Sequence, residues 1–347
     1  MTTPSEPRRR SRRSTVIAFA VGLAVMIAVF AFLFPQLGTY EQALEELRSI
    51  PPLWLGALAV TGLANILVYP FTATAAIPGL PYRHAFVDRQ SGFLISNVIP
   101  GGGAVAVGTQ FSILSFYGVK ANAAAAAVSA DAIWTYLMVL GTPALAVGLL
   151  VAEGRSAAGY TTLAMVGLLV VVASIIAIAS VLRSADSARR LGAWLQKPAT
   201  RVWGLLRRTP PDTEARLTEF NAQASALVAQ RWKTLTLTNV AAQVMPYFVL
   251  VAAVAGLGAF PDPLSWVEVF AAYAIALLLT SFPITPGGLG TVDAALVLLL
   301  RQFGATSTTA IAADLIWRLV WFLPQLLAGL GALGIFTWER RRRERVS

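Results

Sequence analysis

The chain has no cysteine and a single histidine, His84. The first absence excludes disulfides, thiolate metal sites and a cysteine nucleophile, and it leaves the redox compartment unmarked. The second confines any Ser-His-Asp arrangement to one imidazole. That imidazole sits among Arg83, Asp88 and Arg89 at an expected membrane boundary, where solvation is its usual role. Charge is scarce as well: 13% of the residues are Asp, Glu, Lys or Arg, against about 25% in a soluble domain. With 56% hydrophobic residues over 347 positions and a mean hydropathy of +0.67, the chain cannot cover its apolar surface with polar groups. Two or three soluble domains are therefore excluded. The composition predicts an all-α polytopic membrane protein.

A helix needs about 20 apolar residues to cross the hydrocarbon core. Continuous runs of that order occupy 15–34, 53–77, 122–152, 160–182, 234–258 and 308–337, which predicts about six full transmembrane helices. The first run exceeds a signal-peptide core of about 7–15 residues, so a retained anchor is expected. Two further apolar stretches, 90–117 and 264–303, are broken in the middle by Pro and Gly.

The net charge of +10 suggests nucleic acid until it is located. Twenty of the 27 Lys and Arg fall in the tail 1–14, the loop 183–233 and the tail 338–347. That distribution encodes orientation, so all three segments are expected on the cytoplasmic side of the cell membrane and no nucleic-acid partner is expected. The loop after the first helix, with Glu41, Glu45 and Glu46 against Arg48, belongs outside. Parity then requires 90–117, in the first transmembrane half (15–182), to enter and leave from the cytoplasmic face as a re-entrant element. The stretch 264–303, in the second half (234–337), must start and finish outside, either as a second re-entrant element or as two full crossings.

The two broken stretches resemble each other. Setting Pro100 on Pro286 brings Gly101 onto Gly287 and Gly102 onto Gly288, and then Tyr117-Gly118-Val119 onto Phe303-Gly304-Ala305. After a three-residue shift, Ala130-Asp131-Ala132-Ile133-Trp134 meets Ala313-Asp314-Leu315-Ile316-Trp317, and Pro143 and Pro324 follow. With the topology above, this is an inverted repeat, an arrangement in which broken helices form a transporter's substrate site. Pro100, Gly101, Gly102 and Gly103, with Pro286, Gly287, Gly288 and Gly290, are expected to shape the path.

Ionisable groups in membrane helices need partners or a task. Asp314 and Arg318, four residues apart, suit an intrahelical pair. Asp131 has Thr135 in the corresponding place and is expected to lack a local cation. Asp293, three residues after Gly290, is expected to benefit from a helix N-terminus. Arg318 suits a phosphate or carboxylate; equally, Asp293, Asp314 and Arg318 suit a structural network. Asn97 and Gln110 flank the first break and are expected to line a cavity. Loop 183–233, with Trp194, Trp203 and Trp232 among its basic residues, is expected to contact an anionic leaflet, divided into short helices by Pro198, Pro210 and Pro211.

Pro286-Gly287-Gly288-Leu289-Gly290-Thr291-Val292-Asp293, followed by Leu315-Ile316-Trp317-Arg318, Pro324 and Gly329, resembles the lysylphosphatidylglycerol synthase transmembrane region family over most of the chain. That family includes the flippase domain of the bacterial multiple peptide resistance factor. The resemblance implies a lipid translocase without a cofactor, acting on a membrane phospholipid or lipid-linked substrate. Aminoacyl transfer belongs to a separate soluble domain in that family, so no enzyme activity is expected. Two features depart from the family's pattern. Asp293 stands where Glu is usual, and Gly103-Ala104 through Thr109 is uncharged where the first motif commonly carries Glu and Arg. Two other classes stay open: an integral-membrane enzyme acting on a lipid-linked sugar or phosphate, and a non-transporting scaffold of an envelope-lipid complex. The oligomeric state, a homo-oligomer included, is also open.

Overall fold

The computed structural model describes residues 45–46, 48–99, 102–154, 212–281 and 285–345 and, with gaps, 169–205. The basic N-terminal tail, the expected span 15–34, most of 160–182, Pro100, Gly101, Pro210 and Pro211 lie outside the described residues. All regular structure among the described residues is helical. Four of the helices described are long and apolar enough to cross a membrane: Pro52–Ala76, Ala121–Ala152, Ser225–Gly256 and Ser307–Glu344. They correspond to the runs 53–77, 122–152, 234–258 and 308–337.

Helix α1 (Pro52–Val68) and the short α2 (Phe71–Ala76) are separated at Pro70. Proline has no N–H for the carbonyl four residues earlier, here that of Ile66. The Gln90 amide donates to that oxygen at 3.0 Å, and the Tyr82 hydroxyl donates to the Leu67 carbonyl at 2.6 Å. Both donors come from α3 (Tyr82–Val98), which leads into the first break. Helix α4 (Gly103–Phe116) leaves the break, and α5 (Ala121–Ala152) follows.

The same succession recurs. Helix α8 (Trp266–Leu278) enters the second break, α9 (Thr291–Gln302) leaves it, and α10 (Ser307–Trp317) continues through a π-helical turn, Arg318–Phe322, into α11 (Leu323–Glu344). The turns closing α4 and α9 match bond for bond. Val119 donates to the Leu114 carbonyl and Ala305 to the Leu300 carbonyl, around Gly118 and Gly304 with positive φ. This is the Schellman arrangement, which needs glycine because the left-handed conformation crowds a Cβ.

Between the two units lies a helical hairpin. Helix α6 (Ala185–Leu205) packs on α7 (Thr213–Gly256), with Gly192 against the backbone of Thr213 and Glu214. The Thr213 hydroxyl donates to the Gly192 carbonyl at 2.7 Å. Two expectations are corrected here. Pro198 lies inside α6 rather than ending it. Helix α7 also runs unbroken from the basic segment into the expected span, because Asp212 caps it at the Ala215 N–H and no breaker intervenes before Pro246.

The core is built from small residues at close range. Ala271, Ala272, Ala274 and Ala276 of α8 are wholly buried, and Leu94, Leu250, Leu296, Trp317 and Phe322 pack in the same cluster. Without a hydrophobic drive between helices in lipid, close backbone approach supplies the contact. Gly329 of α11 lies so close to α3 that a Cβ there would meet the Gln90 carbonyl oxygen at 2.5 Å and the Leu94 Cβ at 2.7 Å. By contrast Gly331 has open space. Gly329→Ala should therefore destabilise the bundle by about 1–3 kcal/mol, whereas Gly331→Ala should stay within about 0.5 kcal/mol of the parent. Unfolding in mixed micelles by a denaturing detergent measures both.

Candidate functional site

The second break is a coil of glycines held by one ion pair. Gly287 has φ +62°, Gly288 +66° and Gly290 +84°, conformations that glycine adopts without steric cost. A Cβ on Gly287 would also meet the Phe322 ring at 2.6 Å. Asp293, in the first turn of α9, accepts from the Gly290 N–H at 2.5 Å through one carboxylate oxygen. Its other oxygen accepts from Arg318 Nε at 2.5 Å. The remaining guanidinium nitrogens reach the carbonyls of Gly287, at 3.3 Å, and Gly288, at 3.5 Å. The guanidinium also stands over the rings of Trp317 and Phe322. Coil, acid and arginine thus close a ring, and Arg318 is only 1% exposed.

The expected intrahelical pair of Asp314 with Arg318 is therefore corrected. The Arg318 N–H still donates to the Asp314 carbonyl in the helix, but the coil offers the guanidinium a carboxylate and two carbonyls. Asp314 is buried, and its Oδ1 has no hydrogen-bond partner among the described residues. Pro324 explains the π turn, since it cannot serve the Val320 carbonyl. Asn65 of α1 braces the region, donating to Gln325 Oε1 at 3.0 Å and to the Trp321 carbonyl at 3.5 Å.

A second buried charge cluster lies between α3 and α5. Arg89 Nη1 meets Asp131 Oδ2 at 2.6 Å, with the two side chains 8% and 13% exposed. Asp131 therefore has a cation after all, from another helix rather than its own. The Arg89 guanidinium lies 4.5 Å over the Tyr69 ring. Asp88, also buried, is adjacent in sequence, and Gln110 packs on Gly92 one turn further along α3. Asp88 Oδ1, Asp131 Oδ1, Gln90 Oε1, Ser91 Oγ and Arg89 Nε have no hydrogen-bond partner among the described residues. Buried polar atoms left this way are costly.

Asp88 and Arg89 were not expected at a site, because they read as a solvated boundary, and Tyr69 lay unremarked within the expected span 53–77. Helix α3 instead starts at Tyr82 and buries them. The available signal was the run Asp88-Arg89-Gln90-Ser91 directly ahead of an apolar stretch. Asn97 turns back on its own helix, donating to the Phe93 carbonyl at 2.8 Å. Gly102 sits where a Cβ would strike the carbonyl oxygens of Ile95 and Ile99, and Gly103 has open space. Pro286 opens the 3₁₀ turn of the second coil.

The two clusters share one composition, an arginine with two aspartates. Arg89 stands with Asp88 and Asp131, and Arg318 with Asp293 and Asp314. Each contains one tight pair and one further acid carrying an unpaired oxygen. In a comparison with known proteins, the family described as lysylphosphatidylglycerol synthase TM region matches residues 17–329. No curated protein and no solved structure matches the chain.

Removing one member of a buried pair strands the other charge, at a cost of about 3–5 kcal/mol, whereas removing both leaves no stranded ion. Arg89→Gln and Asp131→Asn should each destabilise by that order, and the double variant should recover a large part of it. A double-mutant cycle on detergent-induced unfolding measures the coupling. Additive losses would mean that the pair is not coupled in the folded protein.

Proposed function

The chain belongs to the lysylphosphatidylglycerol synthase transmembrane region family and is a membrane protein related to lipid flippase domains; from that premise we propose that it moves a phosphate-bearing amphipathic lipid between leaflets. The observation that carries the proposal is the pair of buried charge clusters, Arg318 with Asp293 on the second break and Arg89 with Asp131 between α3 and α5. Ionisable groups at that depth are retained where a polar group must pass or a gate must open.

The proposed topology has both termini, α6 and the basic start of α7 in the cytoplasm, with the cell membrane around the bundle. The two broken elements enter it from opposite faces as an inverted repeat. Helix lengths support this: α4, α8 and α9 have 14, 13 and 12 residues. At 1.5 Å per residue these are about 18–21 Å long, short of the roughly 30 Å core. Two half-helices meeting at a break suit these lengths better than full crossings do.

In this reading Arg318 is both lock and head-group ligand. Its donors are held by Asp293 and the carbonyls of Gly287 and Gly288, and a phosphate can replace those acceptors bidentately. Release of Asp293 would free the Gly290 N–H and loosen the coil, coupling lipid entry to opening. Arg89 and Asp131 would provide the corresponding lock in the first unit. The matched region is a transmembrane region, and the proposal assigns it no aminoacyl transfer or other group transfer.

Leaflet exchange in proteoliposomes tests the proposal, using head-group-labelled anionic and zwitterionic lipids and a membrane-impermeant quencher. The purified protein should accelerate exchange of an anionic lipid. Arg318→Ala and Asp293→Asn should each lower the rate by about tenfold or more, the equivalent of one charge-assisted interaction. Undiminished exchange in both variants would refute the site, and folded protein that exchanges none of the lipids would refute the translocase.

A further inference from the structure

The end of the bundle where α11 finishes gathers positive charge around a cleft of about 370 Å³. Helix α3 contributes Arg83 and His84, α4 contributes Tyr117 at its C-cap, and α11 contributes Arg342 and Arg343 beside Trp338 and Glu339. The first turn of α3 holds no acid. The positive end of its dipole is thus uncompensated, and basic residues stand where acids are favoured. One acid lines the cleft, Glu339, and its carboxylate accepts from the Tyr117 hydroxyl at 2.9 Å. Three guanidinium groups therefore face one engaged carboxylate.

The cleft also has rigid walls. The His84 ring lies flat on Tyr117, with centroids 3.8 Å apart and 7° between planes, and His84 Nε2 has no hydrogen-bond partner among the described residues. Arg343 is fixed by its bond to the Phe116 carbonyl, at 3.0 Å, and by the Phe116 ring, 4.1 Å from its guanidinium carbon. Arg342 and Arg83 are exposed. Trp338 is 61% exposed with the Arg342 guanidinium above it, the pairing expected at head-group depth. Burial, followed by Arg83, holds the His84 imidazole below its ordinary range, with Glu339 opposing and Arg343 adding. A bound anion would reverse that and let His84 donate.

We propose that this cleft is an anion site that takes the phosphate of an anionic lipid in the leaflet adjoining the end of α11, with Arg83 and Arg342 as its phosphate-binding residues. The site is separate from the buried ion pairs and does not rest on the transport reading, since binding can be measured without exchange. The test is calorimetric titration of the purified full chain in uncharged detergent with short-chain phosphatidic acid, short-chain phosphatidylcholine and inorganic phosphate. Phosphatidic acid should bind at least about tenfold tighter than phosphatidylcholine, and Arg83→Gln/Arg342→Gln should lose about tenfold in affinity. Arg48→Gln/Arg301→Gln, two exposed basic residues outside the cleft and outside the segment 183–233, should bind as the parent does, which separates a site from general basicity. Equal binding of the two lipids, or parental affinity in Arg83→Gln/Arg342→Gln, would overturn the proposal. Inorganic phosphate binding as tightly as phosphatidic acid, with the same loss in the variant, would overturn the assignment to a lipid and leave a soluble phosphate as the ligand. Should the double variant fail to fold, Arg342→Gln alone, exposed in the last turns of α11, gives the same readout.

Discussion

Hydrocarbon offers a backbone no hydrogen bonds, so each interruption of a helix in such a bundle must be served by side chains from elsewhere in the fold. The long-range order of this chain can be traced through those services. Pro70 frees the Ile66 carbonyl, and Gln90 supplies it from α3. Pro246 lies inside α7, and close to it the Tyr273 hydroxyl donates to the Gln243 carbonyl and the Trp317 indole to that of Pro246. Pro324 forces the π turn, where Asn65 reaches the Trp321 carbonyl. The glycine coil gives two of its carbonyls to Arg318. Several ties between helices far apart in sequence thus fall at or near a break.

The charge clusters extend this logic from carbonyls to ions. Arg318 holds a backbone in place, and its partner Asp293 holds the other side of the same coil through the Gly290 N–H. Arg89 spans two helices and stacks on Tyr69 without serving a loop. The two units therefore share an element order and a one-arginine, two-aspartate composition, yet differ in what the arginine secures. The second coil is pinned from three sides. Of the first, the described part turns closely enough at Gly102 to exclude a side chain.

Much of this architecture was legible in the sequence, and what was not has identifiable causes. Hydropathy located the helices at 53–77, 122–152 and 308–337 because a lipid-facing helix must be apolar along its whole length. Such residues as Leu53 and Leu237 remain outward-facing. The paired Gly118 and Gly304 turns were legible because a left-handed residue favours glycine. The partner of Asp131 was not: Arg89 is 42 positions away, and no periodicity links residues on separate helices. The partner of Arg318 was misassigned although α-helical spacing to Asp314 holds, the Arg318 N–H donating to the Asp314 carbonyl; the guanidinium instead meets Asp293 and two coil carbonyls, 25–31 positions away, which spacing along one helix does not reveal. The start of α3 was set too late because Asp88 and Arg89 look solvated until a neighbouring helix and an aromatic ring are placed around them.

Helix α7 has a geometric consequence. Its 44 residues make a rod of about 66 Å, with the α6 hairpin at one end and, near the other, Pro246, where the Trp317 and Tyr273 side chains are attached. Trp317 immediately precedes Arg318 in the chain. Thr213, where the α6 hairpin joins, and Pro246 are therefore about 50 Å apart on one continuous helix. The basic segment and the glycine coil are thus linked through a single helix, whose interior proline carbonyl accepts from Trp317, the neighbour of Arg318.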